Sequence, residues 1–235
     1  LTRAEPPDQG RSHGPLPGLL LIITLSTGMI DTVSYLELGQ VFVAAMTGNL
    51  IFLGLGLTGL GPLPAPSVSI LAYAVGAACG GRVAFSTLSR RSRLLAWGTA
   101  SHAGLVGVAA LLLTLYGFDA PWPRHAVLAL LALSMGWQYA IVRRLKVPDV
   151  TTTVVTTTIT RLFGEISGRE TQRRRLLMIG TLLCGVLLSG LLRRTLGPVS
   201  PLWASGVLLG VCSVMTYLAA RRPGAERWNR TLPAR

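Results

Sequence analysis

Acidic residues are scarce in this 235-residue chain, nine against 22 Lys and Arg, and charged residues of both signs make up only 13% of it. A chain so short of charge lacks the surface of an ordinary soluble domain. Cysteine is rare as well. Cys79, Cys184 and Cys212 lie inside apolar runs with no CxxC spacing and no neighbouring His, which excludes a disulfide framework and a zinc site and leaves them as small packing residues. GxSxG, HExxH and a phosphate-cradling glycine loop are all missing, and no two carboxylates share membrane depth; neither enzymatic chemistry nor a cofactor is expected. Aromatic residues, 6% of the total, do not interleave with the basic ones, so the net charge of +13 does not indicate nucleic acid as a partner.

What the chain has instead is hydrophobic length. Half of its residues are apolar, and they fall in runs of roughly 20, enough to cross a hydrocarbon core. Six such runs cover 18–38, 66–88, 94–117, 125–142, 176–195 and 199–220; two further segments, 41–60 and 149–163, are ambiguous. The expectation is an all-α, polytopic membrane helix bundle. Residues 1–17 are rich in Pro, Gly and polar side chains and are expected to be disordered, and the run after them, with no A-x-A cleavage site, reads as a retained first helix. Residues 221–235 form a basic tail whose Arg221, Arg222, Arg227 and Arg230 suit an anionic lipid surface or simply fix topology.

The basic residues choose between topologies. If both ambiguous segments enter and leave on one side, that side collects every Lys and Arg except Arg124, Arg193 and Arg194, the asymmetry expected of cytoplasmic loops. Six spans with both termini cytoplasmic is therefore favoured. Seven remains open because 41–60 is long enough to cross, and eight, with a poor charge asymmetry, is the remaining alternative. The second ambiguous segment favours re-entry: seven of the ten residues from Thr151 to Thr160 are threonine, a weak helix former. Backbone that is not helical at membrane depth must be wrapped in protein or line water.

The chain also resembles itself. An offset of 108 residues aligns Gly28 with Gly136 and Asp31 with Tyr139, and nearby offsets align Leu36 with Leu145, Val41 with Val150, Thr47 with Thr156, Cys79-Gly80 with Cys184-Gly185, and Trp97 with Trp203. Two membrane repeats, 18–117 and 118–220, follow. Three spans in each make the second enter from the opposite side, giving two inverted repeats, each with an interrupted or re-entrant segment, an arrangement used by transporters to build a polar site near the midplane. The pairs Gly76/Gly80 and Gly206/Gly210 have the spacing for close helix packing, within one chain or between copies in a homo-oligomer.

Candidate site residues are the polar ones inside apolar sequence. Asp31 costs its helix about 2.5 to 3.5 kcal/mol on the insertion scale, against about 5 kcal/mol from the Leu, Ile and Val of the same run. Insertion survives, and an intramembrane acid is by default a substrate, ion or proton site, the bland alternative being a packing bond. Thr47, Gly48 and Asn49 supply a hydroxyl, a permissive backbone and an amide in succession, the ingredients of a helix break or of a plain turn. Gln138 and Tyr139 bring hydrogen-bonding groups to the matching depth of the second half. On a helix at about 100° per residue, Thr152, Thr153, Thr156, Thr157 and Thr160 fall within an arc of about 140°, either a pathway lining or a set of hydroxyls bonded to backbone. Glu37 is expected at the interface, and His102 as a packed, hydrogen-bonded histidine.

GMIDTVSYL followed by VFVAAMTGN, with GWQYAIVRRLKVPDVTTTVVTTTIT in the second half, resembles the YoaK-like bacterial membrane proteins, a family of unknown function, from about residue 18 to 220. The resemblance implies a bacterial inner-membrane protein of six or seven helices and supplies no substrate. It also implies an Asn where this chain has Tyr139 and a Gly where it has Thr157, so the second half has lost features that would mirror Asp31 and Gly48. Together these readings lead us to expect a small-solute transporter or channel, proton- or cation-coupled through Asp31, with a non-transporting membrane assembly or stress-related scaffold protein as the alternative.

Overall fold

The computed structural model describes residues 14–86, 90–145, 155–164, 168–223 and 225–229. They form eight α-helices in the order α1 (Leu16–Glu37), α2 (Met46–Leu57), α3 (Pro64–Ser86), α4 (Arg91–Tyr116), α5 (Pro121–Leu145), α6 (Val155–Gly164), α7 (Arg169–Leu196) and α8 (Ser200–Ala220), with a 3-10 turn at Ala225–Arg227. Six of them, α1, α3, α4, α5, α7 and α8, are long and apolar enough to cross a membrane. The chain is a multi-pass helical membrane protein. At about 1.5 Å per residue, the 12 residues of α2 reach about 18 Å, well short of a hydrocarbon core of about 30 Å. Residues 41–60, which have the apolar length to cross, therefore do not form one spanning helix.

The reason is local. α1 ends at Glu37, and Gly39 (φ 106°) and Gln40 (φ 56°) then both adopt left-handed backbone, a conformation that ends a right-handed helix and is uncommon for any residue but glycine. The chain turns back along α1, runs without helix through Val41–Ala45, and only then enters α2. The break thus precedes Thr47-Gly48-Asn49, which form the first turn of α2 and not an interruption of it.

α1 and α5 are the most enclosed of the spans; Leu16, Leu20, Ile23 and Ile30 of α1 and Leu128, Leu131 and Ile141 of α5 are fully buried. α1 packs against α7 and α8, and α5 against α3 and α4; α4 and α8 pack on each other, α1 touches α5, α2 lies along α3 and α6 along α7. Matching α1–α4 in order to α5–α8 gives nearly every one of these contacts a counterpart. Glycine sets the two closest crossings. A methyl group on Gly28 would strike the Leu182 carbonyl of α7, and one on Gly185 the Leu25 carbonyl of α1. In the other pair, Gly136 lies against Tyr73 of α3, while Gly76 and Gly80 lie against Leu133 and Trp137 of α5. The Gly76/Gly80 pair is thus used within the chain, whereas Gly210 faces open space.

The start of α1 and the turn after α8 meet on one side of the bundle. Helix begins at Leu16, two residues before the expected boundary, and Gly14 lies against the ring of Trp228 in the tail turn, itself buried.

Candidate functional site

The non-helical stretch 41–44 exposes backbone groups that lipid cannot satisfy, and nearby side chains satisfy them. Asp31, six residues before the end of α1, accepts the Val43 and Ala44 N–H groups on one carboxylate oxygen, Oδ1, at 2.8 and 2.9 Å. The Ser34 hydroxyl, one helical turn on, donates to the Val41 carbonyl at 2.7 Å. Asn49 grips Phe42 at both ends. Its Oδ1 accepts the Phe42 N–H at 2.9 Å, and its Nδ2 donates to the Phe42 carbonyl at 2.5 Å and to the Ser69 hydroxyl of α3 at 2.9 Å. Ser69 closes the ring by donating to the same Phe42 carbonyl at 2.7 Å. Above it, Tyr35, Phe42 and Phe52 stack, with successive ring centroids 5.3 and 6.4 Å apart.

This network divides the roles of the two Asp31 oxygens. Oδ1 holds the loop, while Oδ2 has no hydrogen-bond partner among the described residues. The rings of Tyr73 of α3 and Tyr139 of α5 lie 6.5 Å apart.

Gln138 does not join them. Its side chain faces α4, where Nε2 reaches the Thr99 hydroxyl at 3.5 Å, a long contact. His102, fully buried one turn further along α4, has Gln138 as a polar neighbour, although neither its ring nitrogens nor Gln138 Oε1 makes a hydrogen bond of good geometry. The expectation of a packed histidine is met, with Gln138 beside it. Among the described residues, α4 and α5 thus enclose polar atoms whose hydrogen bonds are poorly formed, and such atoms are costly away from water.

The other candidates are dispersed. Thr47 is exposed, Gly48 sits half-buried beneath the Phe42 ring, and Asn49 is fully buried. Thr152 and Thr153 lie outside the described residues. Thr157 is within α6, where Thr156 and Thr160 occupy the exposed side and Thr158 the buried one. Sequence reasoning missed Ser34, Ser69, Tyr73 and Thr99, which are ordinary as single residues in apolar runs; their only signal is a polar group at the depth of Asp31 or Gln138. It also missed the partner of Glu37, which pairs with Arg193 at the far end of α7. No group of three His, Cys, Asp or Glu side chains suited to a metal ion occurs among the described residues.

Six apolar helices of spanning length, a short helix reached through unwound backbone, and a carboxylate tying that backbone to the first of them define a multi-pass helical membrane protein. The chain belongs to the family described as protein of unknown function (DUF1275), which matches residues 19–215. It is 32% identical over 154 residues to the UPF0700 transmembrane protein YoaK of Bacillus subtilis (strain 168), an alignment covering 64% of this chain and 67% of that one. No solved structure matches.

Proposed function

We propose that this chain carries or conducts a small polar solute across a bacterial inner membrane, with Asp31 as the proton- or cation-binding group. The observation that supports it is the carboxylate itself: one oxygen is committed to the unwound backbone and the other has no hydrogen-bond partner among the described residues. Such pairing of unwound backbone with a polar group is how transporters build sites near the midplane, and an acid at that depth is retained against a real insertion cost. The matched contacts of α1–α4 and α5–α8 support two repeats, which three crossings in each would invert. The Lys and Arg distribution supports cytoplasmic termini.

Asp31→Asn separates charge from architecture, because the Asn side-chain oxygen still accepts from Val43 and Ala44. In proteoliposomes loaded with a pH indicator and given an imposed potential, the wild-type protein is expected to carry proton flux above protein-free vesicles, and Asp31→Asn to lower it at least tenfold at equal incorporation. Equal flux in the two proteins removes Asp31 from the mechanism.

One observation favours a non-transporting assembly or scaffold role instead: Asn49 is fully buried and spends its amide on loop and packing bonds. A cysteine at Tyr73, with Cys79, Cys184 and Cys212 replaced, decides between the readings. Reaction with a membrane-impermeant thiol reagent fits a water-lined route, and silence fits a packed core.

A further inference from the structure

We infer that the pocket between the start of α4, the end of α8 and the tail turn is a binding site for a phosphate-bearing anion, a function separate from the transport reading. The pocket holds about 400 Å³ and is lined by Arg90, Arg93 and Arg221, with Tyr217, Asn229 and Trp97 among its walls. No carboxylate lines it among the described residues. Between Glu37 and Asp119 the sequence has no Asp or Glu, and between Glu170 and Glu226 none; Glu226, in the tail turn, is the nearest acid in sequence and is not among the lining residues. Three guanidinium groups are thus concentrated with no acid among the described lining residues, and Arg is the side chain whose planar fork best matches phosphate oxygens.

The backbone adds to the same field. α4 starts at this pocket with no acid in its first turn and no side-chain cap on its first residue, so its positive end is uncompensated by charge. The Ser92 N–H is bonded to Asn229 Oδ1 at 3.1 Å, and this bond, with Trp228 buried behind it, fixes the tail as one wall. Arg221 is held in place, its guanidinium 4.4 Å from the centroid of the Tyr217 ring and bonded to the Tyr217 hydroxyl. The side chains of Arg90 and Arg93 make no ion pair or hydrogen bond among the described residues, leaving their donors for a ligand. The site therefore has a preformed wall, an oriented cation and two unengaged ones.

Both the headgroup of an anionic phospholipid and a soluble phosphoryl compound present the required chemistry. The pocket lies at the ends of two membrane spans, at the level where headgroups sit, and basic pockets between spans bind such headgroups.

The test uses the full-length purified protein in nanodiscs of phosphatidylcholine alone or with phosphatidylglycerol, read by thermal unfolding and by native mass spectrometry of retained lipid. Phosphatidylglycerol is expected to raise the unfolding midpoint and to remain bound at one tightly held copy per chain. Arg90→Gln combined with Arg93→Gln is expected to weaken that retention at least fivefold, whereas Arg222→Gln, at an exposed tail arginine outside the lining, leaves it unchanged. Inorganic phosphate, titrated into protein in phosphatidylcholine nanodiscs, separates the sources: stabilisation at millimolar phosphate assigns the site to a soluble phosphoryl ligand, and none assigns it to lipid. Arg90→Lys with Arg93→Lys, which keeps the charge, guards against a folding defect and is expected to retain lipid better than the Gln pair. Full retention by the Gln pair, or the absence of any response to either phosphatidylglycerol or phosphate, overturns the assignment.

Discussion

At the scale of single residues, polar groups inside apolar sequence have separate tasks that composition cannot distinguish. Asn49 has a structural task. With every amide atom bonded to Phe42 or Ser69, Asn49→Ala strands the Phe42 N–H at membrane depth, and a buried unsatisfied donor costs about 1 to 3 kcal/mol. The unfolding midpoint of the purified variant is expected to fall accordingly, with more loss than Thr47→Ala, whose side chain is exposed two residues away; equal loss in both would show that the amide network carries no stability. Asp31 combines tasks, since Asp31→Ala removes the loop acceptor while Asp31→Asn removes only the charge. His102 and Gln138 are different again, buried beside each other without a hydrogen bond of good geometry.

At the scale of elements, much was legible and some was not, for physical reasons. The six spans follow from hydrophobic length, which local sequence encodes directly. The first irregular segment was visible because apolar length and polar content disagreed there; of the second, residues 149–154 lie outside the described residues and the rest is helix. The shape of the first was less so: Thr47-Gly48-Asn49 reads as a break, yet Asn49 works from inside the first turn of α2 to satisfy the unwound stretch before it, a role visible only once Phe42 and Ser69 are placed beside it. The self-alignment of Gly28 with Gly136 and of Gly80 with Gly185 did carry structural content, because these four glycines line the α1–α7 and α3–α5 crossings. What sequence could not give was which way Gln138 points, or that Glu37 meets Arg193 from the far end of the chain. At the crossings the added Cβ of Gly136→Ala or Gly185→Ala meets a backbone carbonyl, which cannot rotate aside as a side chain can, so each is expected to lose about 1 to 3 kcal/mol by overpacking. Gly210→Ala, facing open space, is expected to leave thermal stability unchanged or slightly raised. If all three melt alike, the close crossings do not hold the bundle together.

At the scale of the whole molecule, the decisive quantity is the number of crossings, because it fixes whether the halves are inverted. A helix of 12 residues cannot carry the chain across alone, and the turn at Gly39-Gln40 sends residues 41–45 back toward Asp31 on the side they left. If the segment re-enters, α1 and α3 run in opposite directions, which accords with the start of α1 and the turn after α8 lying together at Gly14 and Trp228. In a background lacking native cysteines, single cysteines at Arg124 and Arg194, both exposed loop or helix-end positions, are expected to react with an impermeant maleimide in intact cells. Cysteines at Arg11 and Arg222 are expected to react only after permeabilisation. The position that separates six spans from seven is Arg11, since a crossing by residues 41–60 moves the amino terminus outside while leaving the later loops where they are. Labelling of Arg11→Cys in intact cells would therefore make the first half a four-span unit, remove the inversion between the halves, and leave the Asp31 loop without a symmetric counterpart.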